Sequence, residues 1–335
     1  MTTCIGDYRN HTGKGFCPYC RKALFDGKNV SPFLSFDPPK DLQNEAFFQN
    51  IQRTSISGVQ TKYSLKLEKN ELILTENQGE YSLKPIPNGL FSNLEATPEN
   101  EHLTMQIARQ VFKINTAANT IIYFKDGSMG YLTKRFDRTT EGKKYRQEDF
   151  AQIRQMSRET HGENYKYEGS YEEMATDIRR YVSAYQPVIE GFFRVIIFNY
   201  LFSNGDAHLK NFSLLETSYG DFALSPAYDL LCTGLHTPHE YAMALDLFAD
   251  DYFTESYNIL GFYSQQDFIE FGERIGIYPT RVQRIIEFFC SQSTKVEKMI
   301  ENSFLSSELK VIYLAKYVDR LKGLGYRLKM DANSK

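Results

Sequence analysis

Two hydrophobic periodicities divide the chain. Between residues 54 and 136 apolar and polar side chains alternate in short runs, the two-residue period of strands with one buried face. This predicts strands over Lys62 to Leu67, Glu71 to Thr75, Glu80 to Ile86, Asn119 to Phe124 and Met129 to Phe136. The Asp126-Gly127 pair predicts a hairpin turn joining the last two. One helical stretch interrupts them, with Thr97 suited to the N-cap, Pro98 to the first turn, and Leu103, Ile107, Ala108 and Val111 forming its apolar stripe. From residue 150 the period lengthens to that of helices, predicted over Tyr171 to Tyr185, Pro187 to Ser203, Gln265 to Ile275, Thr280 to Ser291 and Leu309 to Leu321. The pattern therefore predicts an α+β protein with a β-rich lobe over 51–138 and a helical lobe over 139–335. Residues 1–50 form an N-terminal extension, ending in an irregular linker marked by Pro32, Pro38 and Pro39.

Composition narrows the function. Apolar residues make up 41% and charged residues 24% of the 335, ordinary values for a globular protein. A net charge of −3 argues against direct nucleic-acid binding, which needs clustered Lys and Arg. No run approaches 18 apolar residues and the N-terminus has no signal-peptide pattern, so no membrane association and a cytoplasmic location are expected. Five cysteines in a chain this long do not suggest a disulfide framework. Cys17 and Cys20 form a C-x-x-C, and with Cys4 and His11 could close a tetrahedral zinc site; the plain alternative is a turn with two partly buried thiols.

The candidate chemistry lies beyond the helix predicted to end at Ser203. In Asn204-Gly-Asp-Ala-His-Leu-Lys-Asn-Phe-Ser213, Asp206 stands five residues before Asn211, and Asp229 follows in Pro226-Ala-Tyr-Asp-Leu-Leu231. Asp-x-x-x-x-Asn is the spacing of a kinase catalytic loop, where the carboxylate takes the proton of the attacking hydroxyl and the amide holds Mg²⁺. Asp229 would be the second metal ligand. Taken alone, the spacing is more simply read as Asp206 capping a turn and Asn211 as a surface loop residue. Upstream, Ser55-Ile-Ser-Gly-Val-Gln-Thr-Lys62 is a polar turn whose amides and Lys62 could cradle phosphates. Lys84 stands on an otherwise apolar strand and could pair with Glu101, or with Glu99, on the following helix.

These blocks, with Tyr81-Ser-Leu-Lys-Pro85, Asn100-Glu-His102, Lys134-Arg-Phe-Asp-Arg138 and Gln147-Glu-Asp-Phe150, occur in the order found in the HipA family of bacterial toxin serine/threonine kinases, which the chain resembles from residue 55 to 231. The resemblance implies a bilobal, protein-kinase-like fold with ATP and Mg²⁺ bound between the lobes. Asp206 would be the base or orienting group for the hydroxyl, and His208 would bond the phosphate, orient Asp206 or simply hold the loop. Ser57, Gly58, Val59, Lys62 and Lys84 would hold the phosphates with Glu101 in support. Lys134, Phe136 and Asp137 would lie at the adenine, with backbone groups of 134–136 facing its edge, and Asn211 and Asp229 would hold metal. Ser55 and Ser57 would be autophosphorylation sites. Family members often carry an acidic residue where this chain has Lys134, which puts a side-chain role there in doubt. Only 54 residues precede Ser55, so the chain resembles the short, HipT-type members. For these the resemblance implies a HipS-like antitoxin, a HipB-like DNA-binding partner and an aminoacyl-tRNA synthetase substrate, tryptophanyl as first choice. The other readings are a catalytically inactive kinase fold used as a binding module and a small-molecule kinase.

Overall fold

A computed structural model describes residues 2–39, 61–89, 91–139, 142–237 and 241–328. Ser55, Ser57, Gly58 and Val59 lie outside them. The chain divides into two compact units, the first comprising Met1–Arg146, Pro226–His239 and Lys298–Lys310, the second Gln147–Ser225, Glu240–Glu297 and Val311–Lys335.

The first unit is built on an antiparallel sheet of β3 (Tyr63–Glu68), β4 (Glu71–Leu74), β5 (Tyr81–Pro85), β6 (Asn119–Tyr123) and β7 (Met129–Lys134), in the order β4-β3-β5-β7-β6. The five strands fall where alternation predicts them, to within two residues. The turn before β7 forms because Asp126 Oδ1 accepts the Ser128 N–H at 2.8 Å while Gly127 takes a φ of +87°. Helix Thr97–Gln110 opens with Thr97 inside its first turn rather than as its cap, and every residue from Thr97 to Ala108 is buried. Such a helix cannot be solvated on its polar side, so its polar groups must find protein partners. His102 Nδ1 lies 2.9 Å from Asn119 Oδ1, and Thr104 donates to the Asn100 carbonyl at 2.8 Å.

The N-terminal segment belongs to this core. A two-stranded ribbon of β1 (Thr2–Thr3) and β2 (Asn10–His11) leads to helix Pro18–Phe25, and Phe16, Leu24 and Phe25 pack into one apolar cluster with Leu65, Tyr81, Leu83 and Leu132 of the sheet. The stretch expected to be an irregular linker is partly ordered along the edge of the sheet. Phe33 bridges Tyr123 in parallel, the Tyr123 N–H donates to the Pro32 carbonyl at 2.9 Å, and Leu34 N–H returns to the Tyr123 carbonyl at 2.8 Å. A proline lacks an N–H but keeps its carbonyl, and that is the group this edge uses.

In the second unit, helix Tyr185–Leu201 is the central element, with Phe192, Phe193, Ile196, Ile197, Tyr200 and Leu201 all buried. Around it lie Tyr171–Tyr181, Gln265–Arg274 and Pro279–Cys290, close to their predicted limits. Tyr200 Oη donates to the Tyr263 carbonyl at 2.7 Å, the partner a buried tyrosine needs. This unit departs from the wholly helical expectation: it also contains a short antiparallel sheet, β10-β9-β8, of β8 (Gln147–Asp149), β9 (Ser213–Glu216) and β10 (Phe222–Leu224). Among the described residues no helix is long and apolar enough to cross a membrane.

Candidate active site

Lys84 is the centre of the first unit's polar cluster. It faces inward from β5, 5% exposed, and such an ammonium is stable only if paired. Its Nζ donates to Glu101 Oε1 at 2.7 Å and to Asp229 Oδ1 at 2.6 Å. An ammonium has three donors, so one N–H is left by these two bonds. Burial alone would lower the Lys84 pKa; the Asp229 and Glu101 charges outweigh it and raise the group above the usual lysine range. For Glu101 burial wins instead: it raises the carboxyl to about 7 against the lowering effect of Lys84. The lysine therefore stays charged, and Glu101 is the member that takes a proton as pH falls. The rival partner, Glu99, does not reach Lys84; burial raises it to about 7, and Lys310 is the charge that opposes this.

Asp229 comes to this cluster from a segment far along the chain. Its backbone is left-handed, with φ at +53°. Lys62 approaches Asp229 Oδ2 at 3.5 Å from a half-exposed position. The segment is tied to the Glu101 helix by a two-way bond: Asn100 Nδ2 donates to the Cys232 carbonyl at 2.9 Å, and Cys232 N–H donates to Asn100 Oδ1 at 3.0 Å. Asn100 Nδ2 also lies 2.8 Å from His236 Nε2.

The Asp206 loop belongs to the second unit. The helix before it ends at Leu201, earlier than predicted, and Ser203 makes the turn with φ at +47°. Asn204 then anchors to the helix end, its N–H donating to the Asn199 carbonyl at 2.9 Å and its Nδ2 to Asn199 Oδ1 at 2.8 Å. Tyr171 Oη donates to the Ala207 carbonyl at 2.8 Å. Asp206 Oδ1 accepts from Tyr167 Oη at 2.6 Å, and His208 Nε2 stands 3.8 Å from the same oxygen. The Tyr167 and His208 rings meet edge to face with centroids 5.2 Å apart. Asn211 closes the loop, its Oδ1 accepting the His208 N–H at 3.2 Å. Asp206, His208 and Asn211 are all buried. Sequence reasoning missed Tyr167, in a polar stretch with no period to mark it, and missed Asn100 as the tie to the Asp229 segment.

At the expected adenine segment, the N–H groups of Lys134 and Arg135 are committed to the carbonyls of Ala118 and Glu80, each at 2.8 Å. Of the backbone groups expected near the adenine, these two N–H groups are thus engaged within the first unit. Lys134 pairs with Asp26 at 2.8 Å, and Asp137 is gripped by Arg135 through both oxygens. The Phe136 ring lies 5.7 Å from that of Tyr228. At the N-terminus, Cys4, Cys17 and Cys20 converge with Asp7, and His11 is not a member of the group.

The oxygen donors Asp206, Asn211 and Asp229 are of the hard type that Mg²⁺ takes, and Lys62 and Lys84 are suited to phosphate. A strand lysine bonded to a helix carboxylate, beside an aspartate on a left-handed turn and with an Asp-x-x-x-x-Asn loop in a helical unit, is the residue set of a protein-kinase-like fold. Comparison with known proteins places it further. Residues 54–297 match the model of the HipA-like C-terminal domain, and the chain belongs to that family. A Haemophilus influenzae protein provisionally named a kinase is 28% identical over 312 residues, 89% of each chain. The similarly named Y4dM of Sinorhizobium fredii is 34% identical over 65% of this chain and 54% of its own length. Among solved structures, a chain of the Shewanella oneidensis MR-1 toxin–antitoxin complex of HipA, HipB and operator DNA matches with a TM-score of 0.62 at 20% identity, covering 81% of this chain and 65% of that one. The Helicobacter pylori proinflammatory kinase CtkA matches at 0.51 and 15%, covering 78% and 93%. These two establish the α+β kinase-like fold.

Proposed function

We propose that the chain is an ATP-dependent serine/threonine protein kinase, the toxin of a toxin–antitoxin system. The observation that carries the reading is Lys84 held by Glu101 and Asp229, in a family chain whose second unit presents Asp206 and Asn211 at catalytic-loop spacing. Lys84 and Lys62 bind phosphate oxygens, Lys84 through the N–H left by its two carboxylates. Glu101 keeps the lysine oriented and charged. Phe136 and Tyr228 offer apolar faces for the base. Asp206 accepts the proton of a serine or threonine hydroxyl as its oxygen bonds to the γ-phosphorus and the bond to ADP breaks. Tyr167 and His208 hold the Asp206 carboxylate in position. Asn211 and Asp229 would hold Mg²⁺, which would neutralise phosphate charge.

The finer reading is a HipT-type toxin whose substrate is an aminoacyl-tRNA synthetase, the tryptophanyl enzyme first. Its partners are a HipS-like antitoxin and a HipB-like protein through which it reaches DNA. Ser55 and Ser57 are taken as autophosphorylation sites. What supports this is the family membership and the toxin–antitoxin setting of the Shewanella relative.

One experiment tests the proposal. The chain and its Asp206→Asn variant are incubated with γ-labelled ATP, Mg²⁺ and a bacterial lysate, and labelled proteins are identified by mass spectrometry. Wild type should label a synthetase and its own Ser55 or Ser57. The variant should label both 10²–10⁴-fold more slowly, roughly the loss expected for a positioned base. Equal labelling by the two proteins would overturn the assignment of Asp206, and no labelling by wild type would overturn the kinase reading.

A further inference from the structure

The N-terminal segment contains a second, separate constellation. Cys4, Asp7, Cys17 and Cys20 are all buried, and one ligand atom from each lies within 4.8 Å of every other. Two local structures bring them together. The first is a tight turn: Tyr8 N–H donates to the Cys4 carbonyl at 2.9 Å, Cys4 N–H to the Arg9 carbonyl at 2.8 Å, and Tyr8 takes a φ of +60°. This puts Cys4 and Asp7 at the two ends of one loop. The second is the start of helix Pro18–Phe25, where Cys17 is the N-cap and Cys20 lies one turn on. In sequence the set is Cys4-x-x-Asp7 followed by Cys17-x-x-Cys20, two short-spaced pairs of the kind that close structural zinc sites.

The surroundings suit thiolates. Cys4 Sγ accepts N–H groups from Gly6 at 3.4 Å and Cys17 at 3.2 Å, and Cys17 Sγ accepts the Cys20 N–H at 3.4 Å. Amide donors aimed at sulfur favour the ionised form, which is the form that ligates metal. The Gly6 backbone closes on the group so tightly that a Cβ there would stand 2.8 Å from Cys20 Sγ. Cys17 Sγ and Asp7 Oδ2 are 3.4 Å apart, and the charged side chain paired with Asp7 is Arg9, at 3.6 Å and half exposed. Three thiols around a buried carboxylate make poor core packing and a good ligand set. Sulfur donors in this number favour zinc over magnesium or calcium.

We propose that Cys4, Asp7, Cys17 and Cys20 bind one Zn²⁺ in a closed, tetrahedral, structural site. On binding, each thiol releases its proton to solvent and forms a Zn–S bond, while the carboxylate binds as it is. All four positions are then filled by protein, so the ion has no open position for catalysis. Its role is to fix the N-terminal turn against the first unit. Gln110, at the end of the helix that carries Glu101, donates to the Asp7 carbonyl at 2.9 Å, and Thr120 of β6 donates to the Ile5 carbonyl at 3.3 Å. The inference does not depend on the kinase reading, because binding and stability are measured without ATP.

The full chain is purified under reducing conditions and its zinc measured by mass spectrometry of the metal. One zinc per chain is expected, with a fall in melting temperature on chelation that added zinc reverses. X-ray absorption at the zinc edge should show three sulfurs at about 2.3 Å and one oxygen at about 2.0–2.2 Å. Cys17→Ser and Asp7→Asn should lose or weaken binding, whereas His11→Ala should keep one zinc. Should the cysteine variants fail to fold, the absorption spectrum of the wild type still decides. Absence of zinc at saturating supply, a Cys17–Cys20 disulfide in the reduced preparation, or loss of zinc in His11→Ala equal to that in Asp7→Asn would each overturn the proposal.

Discussion

Replacing Lys84 by Met separates what the lysine does for the fold from its proposed role in nucleotide binding. The ammonium is bonded to Glu101 at 2.7 Å and to Asp229 at 2.6 Å. Without it the buried Glu101 carboxylate faces the part-buried Asp229 carboxylate, with the half-exposed Lys62 3.5 Å from Asp229. Removing one partner of a buried ion pair costs about 3–5 kcal/mol because the other charge is left uncompensated. Glu101 has a way to limit that cost. Its carboxyl already titrates at about 7, and loss of the lysine that lowers it moves it higher. The folded variant therefore holds a proton that the unfolded chain, with an ordinary glutamate, releases. A group whose folded pKa is raised contributes stability below its unfolded pKa and loses it as pH rises. The wild type should level off above about pH 7, where Glu101 is ionised. Lys84→Met should go on losing stability, so its deficit is larger at pH 8 than at pH 6. The double variant Lys84→Met/Glu101→Gln has no proton to hold at 101 and should recover about 1–2 kcal/mol at pH 8, near the cost of one stranded polar group. Urea unfolding followed by circular dichroism measures this; the chain has no Trp to report by fluorescence. ATP binding should be lost in both variants. A double variant no more stable than the single one at pH 8 would refute the reasoning, since Glu101 would not be the stranded charge.

Asp229→Ala should abolish Mg²⁺-dependent ATP binding while Asp221→Ala, bonded only to Thr217 in the hydrogen bonds seen around β9 and β10, leaves it intact; titration with and without metal compares them. Tyr167→Phe removes the 2.6 Å bond to Asp206 and should lower kcat about 10-fold with KM unchanged, as expected for a hydrogen bond of about 1.5 kcal/mol to a charged group. His102 is lowered from 6.5 to about 4, chiefly by burial, so the folded state refuses a proton that the unfolded chain binds. Its contribution is present above 6.5 and is lost as pH falls towards 4, up to about 3 kcal/mol. Glu99 and Glu101 work in the opposite direction over part of that range, so the difference between wild type and His102→Gln is the quantity to follow in acid unfolding.

Much of this was legible before any coordinates. Strands β3 to β7 alternate cleanly because one face of each meets the core, and the Asp126-Gly127 turn has no good alternative conformation. Lys84 was visible as a charge on an apolar strand, and its pairing with Glu101 follows from the need to compensate that charge. The strands β8 to β10 were not legible, since three or four residues are too few to show a period. Nor was the return of Pro226–His239 to the first unit, a long-range event without local signal. Tyr167 reaches Asp206 across 39 residues of chain and nothing in its own neighbourhood announces it. At the N-terminus, counting only Cys and His as ligands pointed to His11, whereas the fold brings in Asp7, whose spacing from Cys4 repeats that of Cys17 and Cys20.

The two-way bond between Asn100 and Cys232 bears on how such an enzyme could be regulated. It joins the residue before Glu101 to the chain three residues beyond Asp229, in the manner of one rung of a ladder. A control mechanism that swings the helix outward would have to break this rung, part Lys84 from Glu101 and expose a helix buried along twelve consecutive residues. That is a large penalty for a switch. The lysine and glutamate are therefore held by the packing of the whole helix as well as by their own bond, and the aspartate by the rung beside it.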